Sequence, residues 1–149
     1  MRAVIQRVSR ASVLSEGVET GSIGPGLCVL IGVEEGDTEK DAEYIADKLA
    51  KLRIFEDDQG KMNLSALQMG YQALCVSQFT LLGDARGQNR PGFTKAEAPD
   101  RASRLFDHAV ARLRADGVKT ETGVFRTHME VSLVNDGPVT ILMDSRKLF

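Results

Sequence analysis

A chain of 149 residues, 42% apolar and 27% charged, suits one domain over 1–149 that buries its own core without a disulfide or metal staple. The formal net charge of −2 excludes a broadly basic DNA or RNA binder held by phosphate neutralisation. Any RNA contact must then be local, confined to a small patch or to one end of the RNA.

Residues 2–14 and 18–23 read as strands around Ser15-Glu16-Gly17. The N-terminus carries Arg2, Arg7 and Arg10 with no acid before Glu16, a profile shared with mitochondrial presequences. The β-branched Val4, Ile5, Val8 and Val13 favour a strand instead, although the imperfect alternation leaves a helix open. Gly24-Pro25-Gly26 predicts a turn, and 27–34 is a continuous apolar run that suits a buried strand. Ala42, Ile45, Ala46, Leu49 and Leu52 recur at helical spacing, predicting a helix over 38–53 with Asp37 or Thr38 as its cap. Asp57-Asp58-Gln59-Gly60 is a turn, and 72–82 reads as a mainly apolar strand. Gly83 to Ala98 has no periodicity and carries Arg86, Arg90 and Lys95 against Asp84 and Glu97. A loop of that length in a compact domain is usually functional or disordered. A second helix is predicted over 100–116, with Pro99 in its first turn and Gly117 at its C-terminal end. Residues 118–122 suit a short strand. Residues 128–134 alternate cleanly, with Met129, Val131 and Leu133 on one face, and 139–143 form a returning strand. Several antiparallel strands with two main helices give an α+β fold.

No stretch approaches the ~18–20 apolar residues of a membrane span, so no membrane partner is expected. Cys28 and Cys75 each sit in an apolar run and read as small buried hydrophobes, which fits a cytoplasmic protein. His108 lies off the core stripe of the second helix, and His128 lies on the polar face of its strand; both suit surface or rim positions. No HExxH pattern, His/Cys cluster, Gly-x-Gly-x-x-Gly loop or Gly-x-Ser-x-Gly elbow is present. Metal, nucleotide-cofactor and α/β-hydrolase chemistry therefore have no support, and the expectation is no cofactor.

Two quieter segments remain. The strand Ala73-Leu74-Cys75-Val76 runs directly into Ser77-Gln78, with Thr80 close behind. Polar side chains at the end of a buried strand must find partners or face a pocket. Read locally, Gln78 and Thr80 either satisfy nearby backbone or line a site. Asn135-Asp136-Gly137-Pro138 joins two strands and reads locally as a plain hairpin turn.

Taken together these segments resemble the D-aminoacyl-tRNA deacylase family over essentially the whole chain. The likeness runs through Met1-Arg2-Ala3-Val4-Ile5-Gln6-Arg7-Val8, Leu52-Arg53-Ile54-Phe55-Glu56-Asp57 and Gly60-Lys61-Met62-Asn63-Leu64-Ser65. It continues in Ser77-Gln78-Phe79-Thr80-Leu81, Asn89-Arg90-Pro91 with Phe93, and Asn135-Asp136-Gly137-Pro138-Val139-Thr140. The resemblance implies a barrel-like core and a homodimer. The implied substrate is the 3′ end of tRNA carrying a D-amino acid, or glycine on tRNA(Ala). The implied reaction is ester hydrolysis to free tRNA and amino acid. It also implies that the Gly137-Pro138 peptide is cis and reaches into the partner subunit's pocket. Its carbonyls there crowd the space that an L-side chain needs, a specificity achieved by exclusion.

For catalysis the expectation is an oxyanion site made by backbone N–H groups around Phe79 and Thr80, with water oriented by the substrate's terminal 2′-OH. Thr80 as nucleophile or base is the alternative, and a Thr hydroxyl without a base is a poor nucleophile. Ser77 and Gln78 would shape this end of the site and Phe79 would wall it. Phe125 and Met129 would hold the terminal adenine. One departure stands out: the family commonly reads Phe-Gly-Ala-x-Met where this chain has Phe125-Arg126-Thr127-His128-Met129. Two competing functions are a general esterase built on Thr80, and a non-catalytic RNA-binding module built on Arg86, Arg90 and Lys95.

Overall fold

A computed structural model describes all residues, Met1–Phe149. Its frame is one long strand, β1 (Arg2–Ser15). β8 (Met129–Asp144) runs antiparallel along one edge of β1 from Arg2↔Asp144 to Ser15↔Met129. The other edge is shared: β3 (Gly26–Gly32) takes the first half, Arg2↔Gly32 to Val8↔Gly26, and β2 (Val18–Ile23) takes the second, Ala11↔Ile23 to Ser15↔Val18. β6 (Gln72–Ser77) and β7 (Thr120–Thr122) extend the sheet from β3, giving the order β2-β1-β3-β6-β7 with β8 on β1. The sheet curls until β2 and β7 nearly meet. A Cβ placed on Gly21 would lie 2.9 Å from the carbonyl oxygen of Thr122, so only glycine permits that approach. The result is a nearly closed, barrel-like core.

The expected all-antiparallel pairing is corrected here, because β3–β6 and β6–β7 are parallel. The cause is the helices between them. α1 (Glu39–Lys51) and α3 (Pro99–Ala115) each carry the chain back to the end from which the previous strand began. The expected strand over 72–82 also stops early, at Ser77, where its register with β3 ends (Ile31↔Ser77), and Phe79–Leu82 form a 3-10 turn. Asn135–Pro138 is not a hairpin turn. It is a bulge within the single strand β8, where Val8↔Asn135 is followed by Gln6↔Thr140, so two steps of β1 face five of β8. A short helix α2 (Ala66–Met69) and a hairpin of β4 (Phe55–Glu56) with β5 (Met62–Leu64) complete the chain.

The continuous apolar runs of β3 and β6 follow from burial on both faces. Leu27, Val29, Ile31, Ala73 and Cys75 face α1 and α3 in a core with Leu49, Phe106 and Leu113. Cys28, Leu74 and Val76 point into the barrel with Val8, Val13 and Ile23. No helix is long and apolar enough to cross a membrane.

Both cysteines are free and buried. Burial pushes the Cys28 thiol up to about 11 and the Cys75 thiol up to about 12. The native protein should therefore resist iodoacetamide at pH 8, and both thiols should label once denaturant unfolds it. Above the ordinary thiol value of 9.0 the unfolded chain ionises while the folded chain does not. Stability should thus fall as pH rises from about 9 toward 11, as read by denaturant titration.

Candidate functional site

A cavity of about 550 Å³ opens where β6 ends. Ser77, Gln78 and Phe79 form one wall, the segment Phe125–Met129 with Val131 forms the facing wall, and Ala96, Glu97, Pro99 and Ala102 close the third side. Ser77, Gln78, Phe79, Phe125 and Met129, spread along the sequence, are thus brought to one place. The start of α3 was not singled out in the sequence, and no motif there marks it.

The 78–82 turn owes its position to Gly32. A Cβ there would lie 2.7 Å from Leu82 Cδ2 and 2.9 Å from the Gln78 carbonyl oxygen. The Gln78 amide donates to Ile31 O at 2.8 Å, holding the turn to the end of β3. Within the turn the first internal donor is Leu81, bonded to Gln78 O at 3.3 Å. The Phe79 and Thr80 amides ahead of it have no partner inside the turn. Phe79 is 58% exposed and meets Phe93 edge-on, with ring centroids 5.2 Å apart. Thr80 is exposed and does not line the cavity; its hydroxyl is hydrogen-bonded to the Gln78 side-chain amide. No histidine or carboxylate bonds that hydroxyl.

The opposite wall is fixed to the β1–β2 turn. The Val124 amide donates to Ser15 Oγ at 3.2 Å, the His128 amide to Glu16 Oε1 at 3.1 Å, and the Glu16 amide to His128 O at 3.0 Å. Gly123 makes room for Met129, whose sulfur would lie 2.5 Å from a Cβ at that position. Arg126 adopts φ +62, the left-handed region that glycine occupies without cost. This gives a physical reason for the glycine that the resemblance implies at this position. His128 lines the cavity with its side chain 77% exposed, which places it at the rim. His108 is far from this wall, 3.2 Å from Glu43.

Gly137 and Pro138 lie outside this cavity, in the β8 bulge, and their peptide bond is cis. The bulge is clamped from both ends. Asn135 Oδ1 accepts from the Val139 amide at 2.7 Å. Below it the buried Arg7 donates to Asp136 O at 2.9 Å and to Ile54 O at 2.8 Å. Asp136 and Gly137 are exposed, so the bulge projects from the surface on a rigid base. In the long loop, Arg86 is bound to Asp84 at 2.9 and 2.6 Å, and that pairing holds the Asp84 carboxyl well below the usual range.

A family model described as D-Tyr-tRNA(Tyr) deacylase matches residues 4–144. A relative named D-aminoacyl-tRNA deacylase from Anaeromyxobacter dehalogenans is 59% identical over 149 residues, covering 100% of both chains. One of the same name from Kosmotoga olearia is 58% identical over the same span and coverage. Among solved structures, one described as c-Myc DNA Unwinding Element Binding Protein is 39% identical with TM-score 0.89, covering 97% of this chain and 98% of that one. A probable eukaryotic D-amino acid tRNA deacylase, 17% identical with TM-score 0.83 over 96% of this chain and 98% of that one, shares the fold.

Substitutions at two positions test this geometry. Gly32→Ala should cost about 1–3 kcal/mol and displace the 78–82 turn, as read by chemical unfolding and by a structure of the variant. Arg126→Gly should be at least about 1 kcal/mol more stable than Arg126→Val, because only the valine meets the left-handed backbone with a β-branched side chain. Equal stabilities would contradict the assigned conformation.

Proposed function

This chain belongs to the D-Tyr-tRNA(Tyr) deacylase family, and from that membership we propose an editing hydrolase that cleaves the ester of D-aminoacyl-tRNA, and of glycyl-tRNA(Ala), in the cytoplasm. The observation that carries the reading is the cavity at the end of β6. It sets Phe79, whose main-chain amide and that of the adjoining Thr80 have no partner inside their turn, on the wall facing Phe125 and Met129.

The ester's carbonyl oxygen accepts from those amides as negative charge develops on it. Phe125 and Met129 hold the terminal adenine by apolar contact. Ser77 and Gln78 line the end where the amino acid sits. An aminoacyl ester is already activated, so a water oriented by the terminal 2′-OH completes the reaction without a protein base. The Gln78–Thr80 hydrogen bond gives Thr80 a positioning role. The missing base and the hydroxyl's place off the cavity weigh against a Thr80 nucleophile.

The chiral gate comes from a second copy of the chain. In this reading the Gly137–Pro138 carbonyls of one subunit enter the other's cavity and leave room for hydrogen where an L-side chain would go. Three features support it. The bulge lies away from its own cavity, Arg7 and Asn135 hold it rigidly, and the outer edge of β8 has no partner strand while Val134 and Leu142 on it are exposed. An unpaired edge of this kind is a ready docking strand.

D-aminoacyl-tRNA should release free tRNA and D-amino acid while L-aminoacyl-tRNA survives, followed as loss of acid-precipitable label. Equal hydrolysis of the two would end the gate reading. Thr80→Ala should retain turnover within about tenfold, whereas a 2′-deoxy terminal adenosine should lower it by on the order of 10² or more. The reverse pattern would make Thr80 the nucleophile. Light scattering should report a dimer.

A further inference from the structure

A second concavity, of about 630 Å³, lies between the first turn of α1 and the early turns of α3. Lys40, Arg101, Arg104 and His108 line it over the buried Leu105, with Glu39 as its one acid. Lys40 and Arg104 are exposed and form no ion pair within the chain. Arg101 is held in place. It donates to Asp37 O at 2.7 Å, and its Nε lies 3.3 Å from Glu97 Oε2. Glu97 in turn lines the cavity at the end of β6, as do Pro99 and Ala102. The first turn of α3 is therefore a shared wall, with the catalytic cavity on one side and this cationic groove on the other.

We propose that this groove binds the phosphodiester backbone of the tRNA near its 3′ end; the inference rests on the tRNA-hydrolase reading above. A chain of net charge −2 repels polyanions at long range, so its hold on RNA needs a local cluster of cations. The cluster must sit beside the cavity that takes the terminal nucleotide, because successive phosphates of a strand are only several ångströms apart. The loop over 83–98 serves less well, since Arg86 is already neutralised by Asp84 and the exposed, unpaired Arg90 and Lys95 line neither the cavity nor a groove beside it. The groove instead offers two free cations and a third whose guanidinium is fixed by backbone and carboxylate. Its apolar floor, Leu105, suits a ribose face rather than a metal or a small anion.

The test is binding of uncharged tRNA to the full-length protein across a salt series, by fluorescence anisotropy. Each phosphate neutralised adds about 0.7–0.9 to the slope of log Kd against log salt. The double variant Lys40→Gln, Arg104→Gln should lower that slope by about 1.5 and weaken binding roughly tenfold at ~50 mM salt. Lys61→Gln, an exposed cation on the β4–β5 turn, should change neither. These are surface positions, so folding should be retained, and unfolding curves will verify it. An unchanged slope and affinity in the double variant would overturn the proposal, as would an equal loss in Lys61→Gln. Wild-type hydrolysis of a D-aminoacyl adenosine, which has no phosphodiester, separately reports the catalytic reading. Its failure would count against that reading, while the binding series still decides the groove.

Discussion

Every part of the candidate site hangs on the pairing of β1, which is hydrogen-bonded along both edges for nearly its whole length. One edge is given entirely to β8, and the other is divided between β3 and β2. β3 carries β6, and β6 ends in the Ser77–Phe79 wall. The turn after β1 binds the Val124–His128 wall through Ser15 and Glu16. β8 carries Met129 at one end and the projecting bulge in its middle. A buried side chain of β1, Arg7, ties that bulge to the body by donating to the Asp136 carbonyl in it and to the Ile54 carbonyl outside it. Breaking such charge-assisted bonds while leaving their acceptors buried costs about 1–3 kcal/mol each, so the bulge is among the stiffer parts of the surface.

Much of the fold was legible in the chain. The apolar spacing of Ala42, Ile45, Leu49 and of Leu105, Ala109, Leu113 located α1 and α3, because burying one helical face leaves that period in the sequence. The parallel pairings were less visible in local pattern, although the alternation of apolar runs with two helices is itself the signature of parallel neighbours. The short helix α2 also left a trace: Ser65 and Gln68 form a capping box, and Gly70 follows in the left-handed region. The reading of 135–138 as a hairpin failed for a general reason. Asn, Asp, Gly and Pro suit any break in a regular strand, and only the partner strand shows whether the chain reverses or bulges.

The candidate site was legible only in part. Ser77, Gln78, Phe79, Phe125 and Met129 meet at one cavity, yet nothing in their spacing shows that β6 and the 123–128 segment face each other. That proximity is a product of sheet closure. The role of Glu97, Pro99 and Ala102 was hidden because wall residues need only shape, and shape has no local pattern. The site also contains few ionisable groups. Reading a chain for histidines and paired carboxylates therefore passes over it: His108 is tied to Glu43 on the far helix, and His128 reaches only the rim.

β8 also constrains how this protein can change over time. Met129, Val131 and Leu133 point inward while the residues between them are exposed, and the same strand then runs on into the clamped bulge. A single residue inserted or deleted between Met129 and Asn135 would turn every side chain beyond it to the opposite face. It would at once remove Met129 from its wall or Asn135 from its clamp. The stretch can thus drift by substitution but not by length. Cavity wall and bulge are locked to one reading frame of the pleat, so alterations of either must arise through side-chain exchange or in the loops at either end.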